Sequence, residues 1–229
     1  ITYGIADPAY GINNLSFDLV ADNIKNYNMS GHSFDLYYKG KFIDNINLNV
    51  IGIHNISNAL PAIGISLYEQ IPIESIKNSL INFKGADRRF QYKGSVGGVK
   101  IVDDYAHHPT EITATLTASK DYTNHTLWCV FQPHTYSRTK RHLKDFAKAL
   151  SIADKIVLAD IYASREKDPG DISSKDLQRE LVNLGKEVYY FPSFDEIENF
   201  LLENCIHDDL LITMGAGDIV KVGESLLGQ

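Results

Sequence analysis

Residues 99–111 read Val99-Lys100-Ile101-Val102-Asp103-Asp104-Tyr105-Ala106-His107-His108-Pro109-Thr110-Glu111. Val99, Ile101 and Val102 make a short apolar run of strand character, and a helix-like segment follows from Glu111 to Lys120. Pro109 suits a first helical turn, where a missing N–H is no loss. Two carboxylates, Asp103 and Asp104, and two imidazoles, His107 and His108, thus gather where a strand gives way to a helix. In open α/β sheets ligands bind at such turns, because helix amides and the macrodipole attract anions. A polar turn with a capped helix accounts for the same residues, so the local pattern leaves both readings open.

Working outward, the downstream chain alternates strand with helix. The periodicity predicts strand Thr126–Phe131, a helix from about Ser137 to Ile152, and strand Lys155–Ala159. Helix Ser173–Leu184, strand Glu187–Phe191, helix Phe194–Asn204, strand Asp209–Met214 and helix Gly217–Leu227 complete the series. Repeated βα units of this length imply an α/β fold, a doubly wound, Rossmann-like, mostly parallel sheet with helices on both faces. Phe90–Lys93 should pair with Val99–Asp103 across the turn from Gly94 to Gly98. Upstream, the chain is β-rich to about residue 51, with strands at Ile1–Ala6, Ser16–Ala21, Ser33–Tyr38 and Lys41–Ile51. Two helices follow, one through Tyr68 and one over Ile73–Asn82. Asn55 is placed to cap the first, and Pro61 should kink it or mark a later start. The change of rhythm puts a domain boundary near Arg88 and Arg89, giving domains 1–88 and 89–229.

The composition is that of a globular protein: 44% hydrophobic and 22% charged residues in 229. A net charge of −7 argues against a dedicated nucleic-acid surface. No run reaches transmembrane length and no secretory signal opens the chain. Cys129 and Cys205, the only two cysteines, read as buried thiols of a cytoplasmic protein rather than a disulfide framework. The chain opens Ile-Thr-Tyr-Gly, without methionine, as if entered in the middle of something larger.

Asp103-Asp104-Tyr105-Ala106-His107-His108-Pro109-Thr110-Glu111-Ile112 resembles a signature of the Mur ligases, ATP-dependent enzymes of peptidoglycan synthesis. Gly52-Ile53-His54-Asn55-Ile56-Ser57-Asn58 resembles the family's Gly-x-His-Asn-x-x-Asn, which implies that His54, Asn55 and Asn58 hold the adenine of ATP. An amide suits adenine because it offers donor and acceptor together. Gly85-Ala86-Asp87-Arg88-Arg89-Phe90-Gln91 is similar to the junction of the family's central and C-terminal domains, and Arg89 aligns with its nucleotide-contacting arginine. The resemblance directs Asp104 toward the ribose and phosphates, and Tyr105 and His107 toward the reacting carboxylate as catalytic residues. His108 is expected to be satisfied against backbone.

Phe131-Gln132-Pro133-His134-Thr135-Tyr136-Ser137-Arg138-Thr139-Lys140 is similar to the amino-acid binding stretch of the family branch that couples L-alanine to UDP-N-acetylmuramate. The resemblance implies that His134, Tyr136, Ser137 and Arg138 bind the amino acid. Arg138, in a first helical turn, opposes the helix dipole. The murein-tripeptide branch carries a different segment here, which favours the alanine branch. Asp168-Pro169-Gly170-Asp171 and Gly215-Ala216-Gly217-Asp218 also match the family, although Gly-x-Gly at such a turn is weak evidence by itself. The similarity covers essentially the whole chain but corresponds to the second half of such an enzyme. No Gly-x-x-x-x-Gly-Lys-[Ser/Thr] phosphate loop occurs in these residues. That loop and most ligands of the accompanying Mg²⁺ are therefore expected in a missing N-terminal half, and the fragment alone is expected to be inactive. Residues 1–88 would then be the last part of the central ATP-binding domain. Two other readings stay open: a stand-alone nucleotide-binding module without catalysis, and a phosphoesterase using Asp103, Asp104, His107 and His108 as metal ligands.

Overall fold

The computed structural model describes residues 1–6, 17–27 and 31–229, so Ser16 of the second expected strand lies outside the described residues. The chain forms two compact units, Ile1–Gly85 and Ala86–Gln229.

In the first unit, strands β1 (Tyr3–Ile5), β2 (Leu19–Asn26), β3 (His32–Tyr38) and β4 (Lys41–Leu48) form a sheet in that order. β1 and β2 are parallel and the remaining pairs antiparallel. Helices α1 (Ile53–Tyr68) and α2 (Ile73–Asn82) follow. Ile56, Leu60, Ile63 and Ile76 from the helices share a core with Leu19, Phe34, Leu36, Ile46 and Leu48 from the strands. One alternative is excluded here and one expectation fails. Helix α1 begins at Ile53, well before Pro61, so no late start occurs. Its N-cap is Gly52, at φ 97°, and Asn55 lies inside the first turn with its Nδ2 donating to the Ile51 carbonyl at 2.7 Å. The positive φ available to glycine starts the helix one turn earlier than an asparagine cap would.

The second unit is the Rossmann-like α/β domain expected from the alternating pattern. Its strands are β5 (Gln91–Val96), β6 (Val99–Asp104), β7 (Leu127–Phe131), β8 (Lys155–Leu158), β9 (Glu187–Tyr190) and β10 (Leu210–Met214). Their order in the sheet is β5-β6-β10-β7-β8-β9, with only the β5–β6 hairpin antiparallel. That hairpin turns on Gly97 and Gly98, at φ 58° and 82°, a two-residue turn with both φ positive that suits the strand twist. Every residue of β7 and of β10 is buried, as interior parallel strands require. On one face Ile101, Trp128, Val130, Val157 and Leu211 pack against Ile197 and Leu201 of α7 (Phe194–Asn204) and Val222 of α8 (Val220–Leu226). The opposite face is covered by α3 (Pro109–Ser119), α5 (Leu143–Leu150) and α6 (Ser174–Asn183), with Phe131 against Phe146 at 5.7 Å between ring centres.

The helix expected over Ser137–Ile152 is two helices, α4 (Tyr136–Arg141) and α5. They part at His142, whose backbone leaves helical geometry (φ −112°, ψ 23°). Its ring lies edge-on to His108 at 5.2 Å and to Phe146 at 6.4 Å.

Candidate active site

The loops that leave β6, β7, β8 and β10 at their carboxyl ends bring most of the expected residues of the second unit together. The two aspartates ending β6 serve the protein itself. Asp103 is fully buried, takes the Arg88 Nε–H at 2.9 Å and accepts from the Thr213 hydroxyl at 2.7 Å. Asp104 accepts from the backbone N–H of Phe90 at 2.8 Å and of Ala106 at 2.7 Å. Burial raises its pKa, and the amides of Ala106 and Phe90 work against that rise. Asp104 thus faces inward and shapes the chain on either side of it.

Neighbouring arginines divide their tasks. Arg88 is used up: besides Asp103 it donates through Nη2 to the Gly215 carbonyl at 2.7 Å and lies 4.9 Å over the Tyr105 ring. Arg89 is exposed and lies 6.0 Å from the centre of the Tyr105 ring, with no hydrogen bond or ion pair among the described residues. His108 caps α3, its Nδ1 accepting from the Thr110 N–H at 3.4 Å. Glu111 closes the capping box on the N–H groups of His107 and His108 at 3.1 and 3.2 Å. These bonds, with the nearby His107 and Arg89, hold the Glu111 carboxyl below its ordinary pKa although burial pulls the other way.

Tyr105, His107, His134 and Tyr162 form a row of rings with successive centre distances of 5.4, 6.0 and 5.5 Å. Hydrogen-bond partners assign the tautomers of the two histidines. His107 Nδ1 is 3.0 Å from the Tyr105 carbonyl, which only accepts, so Nδ1 carries a proton and Nε2 is the ring nitrogen able to offer a lone pair when the imidazole is neutral. His134 Nδ1 instead takes the Arg138 Nη1–H at 3.3 Å, which leaves its own proton on Nε2. Burial, and then the Arg138 charge, depress the His134 pKa, so the ring is held neutral. Arg138 Nη1 also donates to the His134 carbonyl at 3.1 Å. Its Nε and Nη2 have no partner among the described residues.

Tyr136 and Ser137 open α4. The Ser137 hydroxyl donates to Glu166, a residue without a role in the sequence reading, so only its lone pairs remain for a ligand. Tyr162 was likewise unmarked, as was Gln132, whose buried Oε1 has no partner among the described residues. The Gly215-Ala216-Gly217 turn packs against Gln132. A Cβ on Gly215 would lie 2.7 Å from the Gln132 carbonyl oxygen, and one on Gly217 would lie 2.3 Å from Oε1. Those glycines answer a packing demand. Among the described residues no three His, Cys, Asp or Glu side chains stand where they could share a metal ion. Asp103 and Asp104 are committed to Arg88 and to backbone instead.

His54, Asn55 and Asn58 belong to the first unit, in the opening turns of α1, where His54 and Asn58 are exposed and Asn55 is half-buried.

A six-stranded doubly wound sheet with a cation, two imidazoles and a Gly-x-Gly turn at its carboxyl end has the makings of an anion-handling ligase domain. The family described as "Mur ligase, glutamate ligase domain" matches residues 88–217, and the chain belongs to the Mur ligase family. Two UDP-N-acetylmuramate–L-alanine ligases are similar to it. That of Lachnoclostridium phytofermentans is 55% identical over 231 residues, covering 99% of this chain and 49% of the relative. That of Agathobacter rectalis is 54% identical over 218 residues, covering 95% and 47%. Among solved structures, the UDP-N-acetylmuramate–alanine ligase of Thermotoga maritima matches at a TM-score of 0.75 and 26% identity, over 94% of this chain and 46% of that one. A murein peptide ligase of Psychrobacter arcticus shares the fold at a TM-score of 0.58 and 22% identity, over 93% and 44%. The chain spans about half the length of the relatives it matches.

Proposed function

We propose that this chain is the carboxyl half of an ATP-dependent ligase that joins L-alanine to UDP-N-acetylmuramate in the cytoplasm, in peptidoglycan synthesis. The names of relatives about half identical to it support the reaction. The observation that carries the amino-acid site is Arg138, steadied by His134 through Nη1 with Nε and Nη2 left without partners among the described residues. A guanidinium presents paired N–H groups that match a carboxylate, as an ammonium does not. His134 and Tyr136 would flank the same amino acid, and Ser137 would contribute only its lone pairs.

In the complete enzyme the muramate carboxylate is activated as an acyl phosphate and attacked by the alanine amine. His107 Nε2, with its free lone pair, is the acceptor proposed for the amine proton, and Tyr105 is its neighbour on the carboxylate side. ATP is a co-substrate here. The exposed Arg89 suits its phosphates, with Asp104 holding the backbone around that arginine rather than meeting the nucleotide itself. His54, Asn55 and Asn58 suit its adenine. The first unit would be the end of the central ATP-binding domain, and the second the C-terminal ligase domain. The phosphate loop and the Mg²⁺ ligands are assigned to residues outside these 229, so the chain alone should neither hydrolyse ATP nor make the amide.

Phosphate release by the full-length ligase, with ATP, Mg²⁺ and UDP-N-acetylmuramate present, tests the reading. It should depend on L-alanine and be absent from the 229-residue chain. Release that responds to a murein tripeptide and ignores L-alanine would overturn it.

A further inference from the structure

Helix α4, which carries Arg138, has only six residues, too few to hold its own position in water. Its N-cap residue, Thr135, makes no side-chain capping bond to it. The missing cap comes from a different loop. Glu166, between β8 and α6, accepts the first-turn N–H of Ser137 at 2.9 Å and the Thr135 hydroxyl at 2.6 Å. It also accepts the Ser137 hydroxyl. An anion at this end offsets the unfavourable placement of Arg138 in the first turn.

The same loop grips the preceding residues through Tyr162. Its N–H donates to the Pro133 carbonyl at 2.9 Å, and its ring stacks on His134 at 5.5 Å with 14° between planes. A parallel bridge links His134 to Tyr162. The segment bearing His134 and Arg138 is therefore fixed at two points, both on residues about thirty positions away.

We propose that Glu166 is a positioning residue that sets where Arg138 stands, so that the β8–α6 loop defines the geometry of the amino-acid pocket together with the segment that follows β7. The identity of the amino acid rests on the function proposed above; the positioning itself does not. Glu166 acts through Arg138, its carboxylate being taken up by Thr135 and Ser137 at the start of the helix that carries the arginine.

Two measurements on the full-length ligase test this. First, Glu166→Ala should raise KM for L-alanine roughly 10- to 100-fold, the scale of a misplaced binding group. KM for ATP should stay within about twofold, and Glu166→Gln, which keeps one acceptor oxygen, should restore part of the loss. Added to Arg138→Ala, Glu166→Ala should cost no more than about twofold further, since a residue already removed has no position to lose. Additive effects, or an unchanged KM in Glu166→Ala, would overturn the proposal. Second, hydrogen exchange without substrates should show peptides spanning 134–141 exchanging at least about 10-fold faster in Glu166→Ala, with β7 and β10 protected as before. Unchanged protection there would overturn it regardless of which amino acid the enzyme takes. If L-alanine proves not to be the substrate while exchange responds as stated, the functional reading falls and the positioning role stands. Should Glu166→Ala fail to fold, Glu166→Gln carries both measurements: faster exchange over 134–141 supports the proposal, and wild-type values in both overturn it.

Discussion

The two ends of the six-stranded sheet bury satisfied carboxylates in different surroundings. At the amino end Asp209 is 1% exposed and accepts from the N–H groups of Thr126 and Ile206, from Trp128 Nε1 and from His125 Nδ1. All its donors are protein groups, and the cluster ties β10 to β7 and to the turn before β10. At the carboxyl end Asp103 and Asp104 are equally committed, yet the same end holds groups that have no hydrogen-bond partner among the described residues: Arg89, the outer nitrogens of Arg138, and Gln132 Oε1. A closed cluster stabilises a fold; unspent donors and acceptors beside one are what a ligand can use.

Neighbouring arginines give the sharpest break of this comparison. Arg88→Ala should destabilise the protein by about 3 kcal/mol, because it strands the buried Asp103 carboxylate. Arg89→Ala should leave stability within about 0.5 kcal/mol while raising KM for ATP in the full-length ligase. Urea titration and steady-state kinetics on both variants check it, and the reverse assignment would erase the contrast. Next in size, Asp209→Ala should cost roughly 2–3 kcal/mol by leaving buried donors, Trp128 Nε1 among them, without acceptors. Kinetic constants of that variant should be unaltered below its unfolding temperature.

The smallest effect is local and depends on pH. Hydrogen bonds from Ser137 and Thr135 lower the Glu166 pKa from 4.5 to about 2. A carboxyl whose folded pKa is depressed adds stability that is complete above its unfolded value and lost as pH falls through the folded one. Protection of the α4 amides, corrected for intrinsic exchange, should hold at pH 6 and 5, then weaken between pH 4.5 and about 2. Glu166→Gln should remove that dependence.

Much of this was legible in the chain because it is local. Leu127–Phe131 is a continuous apolar run, the turn expected over Gly94 to Gly98 does join a hairpin, though the strand runs on to Val96 and only Gly97-Gly98 turn, and α2 and α7 fall on the residues their periodicity marks. Arg138 draws attention by opposing the dipole of its helix, and His107 through the resemblance of its segment to the Mur ligases. What it does not disclose is non-local. Glu166 and Tyr162 lie in a loop with no periodicity, and their value comes from residues 28 to 31 positions earlier. The break at His142 depends on rings from α3 and α5, and the start of α1 depends on a positive φ at Gly52. No window of neighbouring residues contains that information.

The central claim is that the carboxyl end of the sheet holds an amino-acid carboxylate on Arg138. Its most direct test is the KM for L-alanine of Arg138→Ala in the full-length ligase. Loss of hydrogen bonds to a charged group, about 1.5–3 kcal/mol, converts to roughly a 10- to 150-fold rise. KM for ATP should change little, and Arg138→Lys should recover only part of the loss. A rise in KM for ATP with that for L-alanine unchanged would place Arg138 in the phosphate site and contradict the account.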